Sequence, residues 1–97
     1  MPAYSVARLA DSDLKSILRY TMKTWGRDQA KRYSKDLRKC FQLLADNPLI
    51  GRSCDFIRPG LLRHEHGKHV VFYIPMPGEI LIVRVLHQQM LPTKAYF

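Results

Sequence analysis

The apolar positions of the chain change period twice, and each change marks a different kind of element. Tyr4 to Val6 are strand-like, after which Ala10, Leu14, Ile17, Leu18, Thr21, Met22 and Trp25 recur at the three-and-four spacing of one helix face. Asp11 and Asp13 lie near the start of this helix, where carboxylates favour the positive end of the helix dipole. Gly26 is placed to end it in a left-handed conformation. The same spacing returns in Ala30, Tyr33, Leu37, Cys40, Phe41 and Leu44 until Asp46-Asn47-Pro48 breaks it. Two amphipathic helices joined by a short turn predict an αα-hairpin. Lys31, Arg32, Lys35, Arg38 and Lys39 fill the intervening positions, so the second helix is apolar on one side and cationic on the other.

Past the hairpin the period falls to that of strands. Residues 47–60 contain two prolines, two glycines, Asn47, Ser53 and Asp55 and read as a loop. Leu61 to His66, His69 to Ile74 and Glu79 to His87 are β-rich runs separated by Gly67-Lys68 and by Pro75-Met76-Pro77-Gly78, which predicts an antiparallel meander. The last run, EILIVRVLH, is apolar at odd and even positions, so its strand should be covered on both faces, with the opening strand paired beside it. The order β-α-α-β-β-β predicts an α+β fold, a two-layer sandwich with the helices on one sheet face and the other face partly open.

A chain of 97 residues suits one domain, residues 1–97, with a single core. Its net charge of +8 favours an acidic partner, whether nucleic acid, an anionic membrane surface or an acidic protein. Cys40 and Cys54 lack any paired spacing and read as free thiols. The opening MPAYSVARLADSD has no apolar stretch before its first charges, and the longest apolar runs fall far short of the roughly 20 residues of a membrane span. A cytoplasmic protein that does not associate with membranes is expected.

Two local features invite a chemical reading. His64, His66 and His69 form an H-x-H-x-x-H run in which the first two share a strand face, but Glu65 alternates to the other side and no cysteine is near. Surface or partner-facing histidines, and no metal, are expected. Arg84 interrupts an otherwise apolar strand, and a guanidinium there needs acceptors; an internal ion pair with Glu65 or Glu79 and a role on a functional face are both open.

Several phrases together resemble one family. Asp13-Leu14, YTMKTWG at residues 20–26, LADNPLIG at 44–51, IRPGL at 57–61, HVVFY at 69–73 and IVRVLHQQM at 82–90 are similar, in order and spacing, to the ParE toxins of the RelE/ParE superfamily. The sequence departs from the usual pattern at Leu62, where relatives commonly carry an arginine, and at Leu91, where an aspartate often follows the methionine. The resemblance implies the toxin of a type II toxin–antitoxin pair that inhibits DNA gyrase and is silenced by a ParD-like antitoxin, to which it binds as a hetero-oligomer. It implies no cofactor, and contact with nucleic acid only through gyrase. Tyr20, Trp25, Tyr33, Arg32, Lys35 and Arg63 are then expected to meet the antitoxin's acidic C-terminal segment, and Arg84, His87, Met90 and Lys94 to meet gyrase. ParE chains are not known as ribonucleases, so no catalytic residue is expected. The alternative is a ribosome-dependent mRNA endoribonuclease of RelE type, for which Arg63, Arg84, His87 and Tyr96 would stabilise phosphate charge and move protons.

Overall fold

The computed structural model describes residues 3–90 and 92–97; Leu91, one of the two departures from the family pattern, lies outside them. A first strand β1 (Ala3–Val6) leads into helices α1 (Arg8–Trp25) and α2 (Arg27–Asp46). A short strand β2 (Arg52–Ser53) and the meander β3 (Leu62–His66), β4 (His69–Met76) and β5 (Glu79–His87) follow, and a 3-10 turn spans Lys94–Tyr96. The predicted architecture is therefore present, with β2 added inside what the sequence reads as loop.

The five strands lie in the order β1-β5-β4-β3-β2. The last strand is internal, as its doubly apolar pattern requires: β4 pairs with it antiparallel and β1 parallel, with Tyr4 beside Ile80 and Val6 beside Ile82. Leu37, Phe41 and Leu44 of α2 pack on Val71, Tyr73, Ile80, Ile82 and Val85 of the sheet, all of them buried. The expectation of an open outer face is corrected. Val70, Phe72, Val83 and Leu86 cluster there with Cys54, Ile57 and Leu61 of the loop, and Tyr96 and Phe97 fold back onto them, Phe97 meeting Phe72 edge-on at 5.0 Å between centroids. Four large apolar side chains facing water would be costly, and the loop and the tail remove them from it.

Two backbone details position the rest. Gly26 ends α1 with its N–H on Met22 O and also precedes α2, at φ 94 and ψ 170. The positive φ is as expected, but this extended, essentially glycine-only region is not the left-handed helical one. It lets one residue reverse the chain. At the other end of α2, the phenol of buried Tyr73 accepts from Gly51 N–H at 2.9 Å and donates to Pro48 O at 3.0 Å. A Cβ at Gly51 would lie 2.6 Å from that oxygen, so only glycine permits the approach.

Candidate functional site: a groove between the helices and the open end of strand five

Strand β1 covers the edge of β5 only as far as Ile82, whose carbonyl accepts Ala7 N–H at 2.9 Å. Beyond that point the β5 edge faces α1, and Asp13 supplies what a neighbouring strand would have supplied. Its Oδ2 accepts Val85 N–H at 3.0 Å and Arg84 Nε at 2.8 Å, its Oδ1 accepts Arg84 Nη2 at 2.7 Å, and Arg84 Nη1 donates to Tyr96 O at 2.6 Å. Both side chains are about 15% exposed, and the carboxylate's hydrogen bonds hold the guanidinium's pKa above its ordinary value despite burial. The expected partners Glu65 and Glu79 are thus corrected. Glu65 pairs with Arg52 and, at 3.6 Å, with Arg63, whereas Glu79 accepts from the Ser5 hydroxyl. The cause is local: β4 pairs Phe72 with Arg84 but Tyr73 with Ile82, and this register shift sits where β5 has lost its outer neighbour. Nor does Asp13 act at the helix start. Asp11 is the first-turn acid and pairs with Lys15.

Above this ion pair lies a groove of about 840 Å³ between α1, the start of α2, the β3–β4 turn and the end of β5. Ile17, Tyr20 and Trp25 form its helical wall, with Ser16 and Gln29, and Val85, Leu86, His87 and Met90 form the opposite one. Tyr20 and Trp25 are each 67% exposed, an unusual state for two large aromatics unless a partner covers them. Tyr33 stands at the end near the β3–β4 turn, where its hydroxyl and His69 Nδ1 share a hydrogen bond of 2.5 Å. His66 and His69 lie 6.0 and 5.5 Å from the Tyr33 ring, and His87 stacks edge-on against His69 at 5.5 Å. Burial raises the Tyr33 phenol pKa, with Cys40 and Asp36 adding to it. Burial also lowers the pKa of His69, with His87 and His66 adding to that. Among the described residues no group of His, Cys, Asp and Glu is arranged to hold a metal ion.

The residues singled out in the sequence are distributed unevenly. Tyr20, Trp25 and Tyr33 meet in the groove, and so do Arg84, His87 and Met90, so the two expected surfaces share this groove in part. Arg32 is exposed on the flank of α2, and Lys35 lines a second, cationic groove on the outside of the hairpin. Lys94 is exposed in the C-terminal turn. Arg63 lies across the sheet from His87: it pairs with Phe72 of the outer cluster and sits 5.9 Å from that ring's centroid, whereas His87 pairs with His69 on the helix side. The four residues of the ribonuclease alternative are therefore not gathered. Arg63 and His87 are on opposite faces, Arg84 is held by Asp13, and Tyr96 packs its ring with the outer cluster while its carbonyl accepts from Arg84.

Sequence reasoning missed Asp13, Ser16, Gln29 and Lys68 as parts of the site. For Asp13 a signal existed, because it lies three residues after Ala10 and four before Ile17, on the helix face that must be buried.

The family model described as ParE toxin of type II toxin-antitoxin system, parDE, matches residues 4–92. The chain belongs to the ParE toxin family. This ParE protein is 42% identical over 88 residues to Toxin ParE1 of Mycobacterium tuberculosis, a match covering 90% of each chain. With Toxin ParE1 of Caulobacter vibrioides the identity is 37% over 90 residues, 93% of each chain. Among solved structures, the chromosomal ParDE TA system from P. aeruginosa superposes with a TM-score of 0.73 over 90% of this chain and 95% of that one; at 22% identity this establishes the shared fold. As a member of this family, the protein is the toxin component of a type II toxin–antitoxin system. Among its described residues no helix is long and apolar enough to cross a membrane.

Proposed function

We propose that this ParE protein inhibits DNA gyrase in the bacterial cytoplasm and is neutralised by a ParD-like antitoxin whose acidic C-terminal segment lies in the groove between α1, α2 and the β5 edge. The observation that carries this reading is the composition of that groove. Exposed Tyr20 and Trp25 with Ile17 and Met90 offer apolar anchors, and Lys68, Tyr33, His69 and His87 offer polar and cationic rims. Such a surface suits an acidic amphipathic helix, which sets apolar side chains every three or four residues into a groove and leaves its carboxylates at the margin.

Because the residues assigned to gyrase, Arg84, His87 and Met90, border the same groove, the antitoxin acts by masking. Once seated, it covers what the target would touch. Residues 1–97 work as one toxin domain that grips a larger machine and forms a hetero-oligomer with its antitoxin. The separation of Arg63 from His87 by the thickness of the sheet favours this reading over ribonuclease chemistry, which needs its acid, base and phosphate-binding groups within reach of one reacting centre. No cofactor enters the scheme.

The test uses purified toxin, gyrase of the native host and supercoiled plasmid. Cleaved plasmid should accumulate and supercoiling should fall, and an equimolar ParD-like antitoxin should reverse both. Unchanged supercoiling and no cleaved product with that gyrase would overturn the proposal, as would turnover of RNA by the toxin alone.

A further inference from the structure

The outside of the helix hairpin carries a second groove with a different chemistry. It is lined by Leu18 and Met22 of α1 and, on α2, by Arg27, Ala30, Lys31, Ser34, Lys35 and Arg38, with no acidic side chain among them. Arg27, Lys31 and Lys35 follow at intervals of four residues and Arg38 three later, so they form one stripe rather than a scatter around the helix. On α1, exposed Arg19 lies one turn before Met22. None of Arg19, Arg27, Lys31, Lys35 and Arg38 is in an ion pair among the described residues, where the four salt bridges involve Lys15, Arg52, Arg63 and Arg84. Among the described residues, Asp28 and Asp36 of the same helix form no ion pair with this row.

We propose that this stripe is a docking surface for the phosphate backbone of duplex DNA. Two features favour a polyanion over a second acidic peptide. The floor offers little for an amphipathic helix to bury: Ala30 is already 3% exposed and Leu18 half-buried, leaving Met22 as the exposed apolar side chain, in contrast to the aromatic groove on the other side of α1. The stripe's length also fits. From Arg27 to Arg38 the helix rises about 16 Å, which faces about five phosphates of one strand at roughly 3.4 Å per phosphate along the duplex axis. The inference rests on the gyrase reading for which DNA is met, namely the segment the target enzyme is holding. It goes beyond that reading in giving the toxin its own contact with nucleic acid, where the sequence implied contact only through gyrase.

The experiment measures binding of full-length toxin to a labelled duplex of about two helical turns by fluorescence anisotropy across a salt series, with no gyrase present, so that it stands or falls separately from gyrase inhibition. The Lys31→Ala/Arg38→Ala variant removes two cations from the stripe; Arg8→Ala/Arg58→Ala removes two exposed cations elsewhere, and circular dichroism melts show that both fold. The stripe variant should bind about tenfold or more weakly near physiological salt, with a logarithmic salt slope smaller by about two, because each lost phosphate contact removes roughly 0.9. The other variant should keep the parent slope. Equal weakening by both variants would mean diffuse charge alone and would overturn the proposal, as would no duplex binding near physiological salt. So would a stripe variant that keeps its DNA affinity but loses affinity for the acidic antitoxin segment, which would make the stripe a protein-binding surface.

Discussion

At the scale of single residues, Asp13 and Arg84 tie together the helix, the uncovered strand edge and the C-terminal tail. Removing one charge of a buried pair is costly because the other stays desolvated, so Asp13→Ala should destabilise the fold by about 3 kcal/mol. In a domain of this size that lowers the melting temperature by about 12–20 °C. Replacing both, as Asp13→Leu with Arg84→Met, should recover part of the loss; a double variant less stable than Asp13→Ala would contradict this account of the cost. His69 gives a second expectation. Folding lowers its pKa, so between that lowered value and the ordinary value of about 6.5 the denatured chain binds a proton that the folded chain refuses. The stabilisation is complete above pH 6.5 and is lost as the pH falls below it. Urea midpoints measured at pH 7.5 and 5.5 should show the decrease, and His69→Gln should reduce it. The neighbours His87 and His66 do not reverse this sign, because both disfavour its protonation.

At the scale of elements, the sequence makes both helices, the three main strands and the doubly covered last strand legible, because periodicity reports which side of an element meets other atoms. It does not report what covers the second side. The covering of Val70, Phe72, Val83 and Leu86 depends on where the 54–61 loop and Phe97 return, which no local pattern states. The two-residue strand β2 is too short to show a period at all. The pairing of Arg84 illustrates the same limit. An arginine in an apolar strand and an aspartate on an apolar helix face each signal a missing partner, but joining them requires knowing that β1 stops at Val6 and leaves the β5 edge to α1. The groove's aromatics were legible as exposed candidates, whereas their meeting with Arg84, His87 and Met90 on one surface was not. A further element-scale expectation concerns the loop after α2. Tyr73→Phe deletes the group that accepts from Gly51 and donates to Pro48 and should cost about 1–2 kcal/mol. Faster amide exchange at Gly51 should accompany that cost, and unchanged protection there would show that another acceptor takes over.

At the scale of the whole molecule, the toxin presents an aromatic groove and a cationic stripe on two sides of one hairpin. If Trp25 anchors the antitoxin, Trp25→Ala should weaken that complex by about 2 kcal/mol, or roughly 30-fold in affinity, with little effect on stability because the indole is already largely exposed. Titration calorimetry checks the first part and thermal melting the second. The central claim, that one groove serves both antitoxin and target, is tested most directly by competition. A labelled peptide of the antitoxin's acidic C-terminal segment, bound to the toxin, is titrated with gyrase and followed by fluorescence anisotropy. The account predicts stepwise release of the peptide as gyrase occupies the groove; a ternary complex that keeps the peptide bound at saturating gyrase would contradict it.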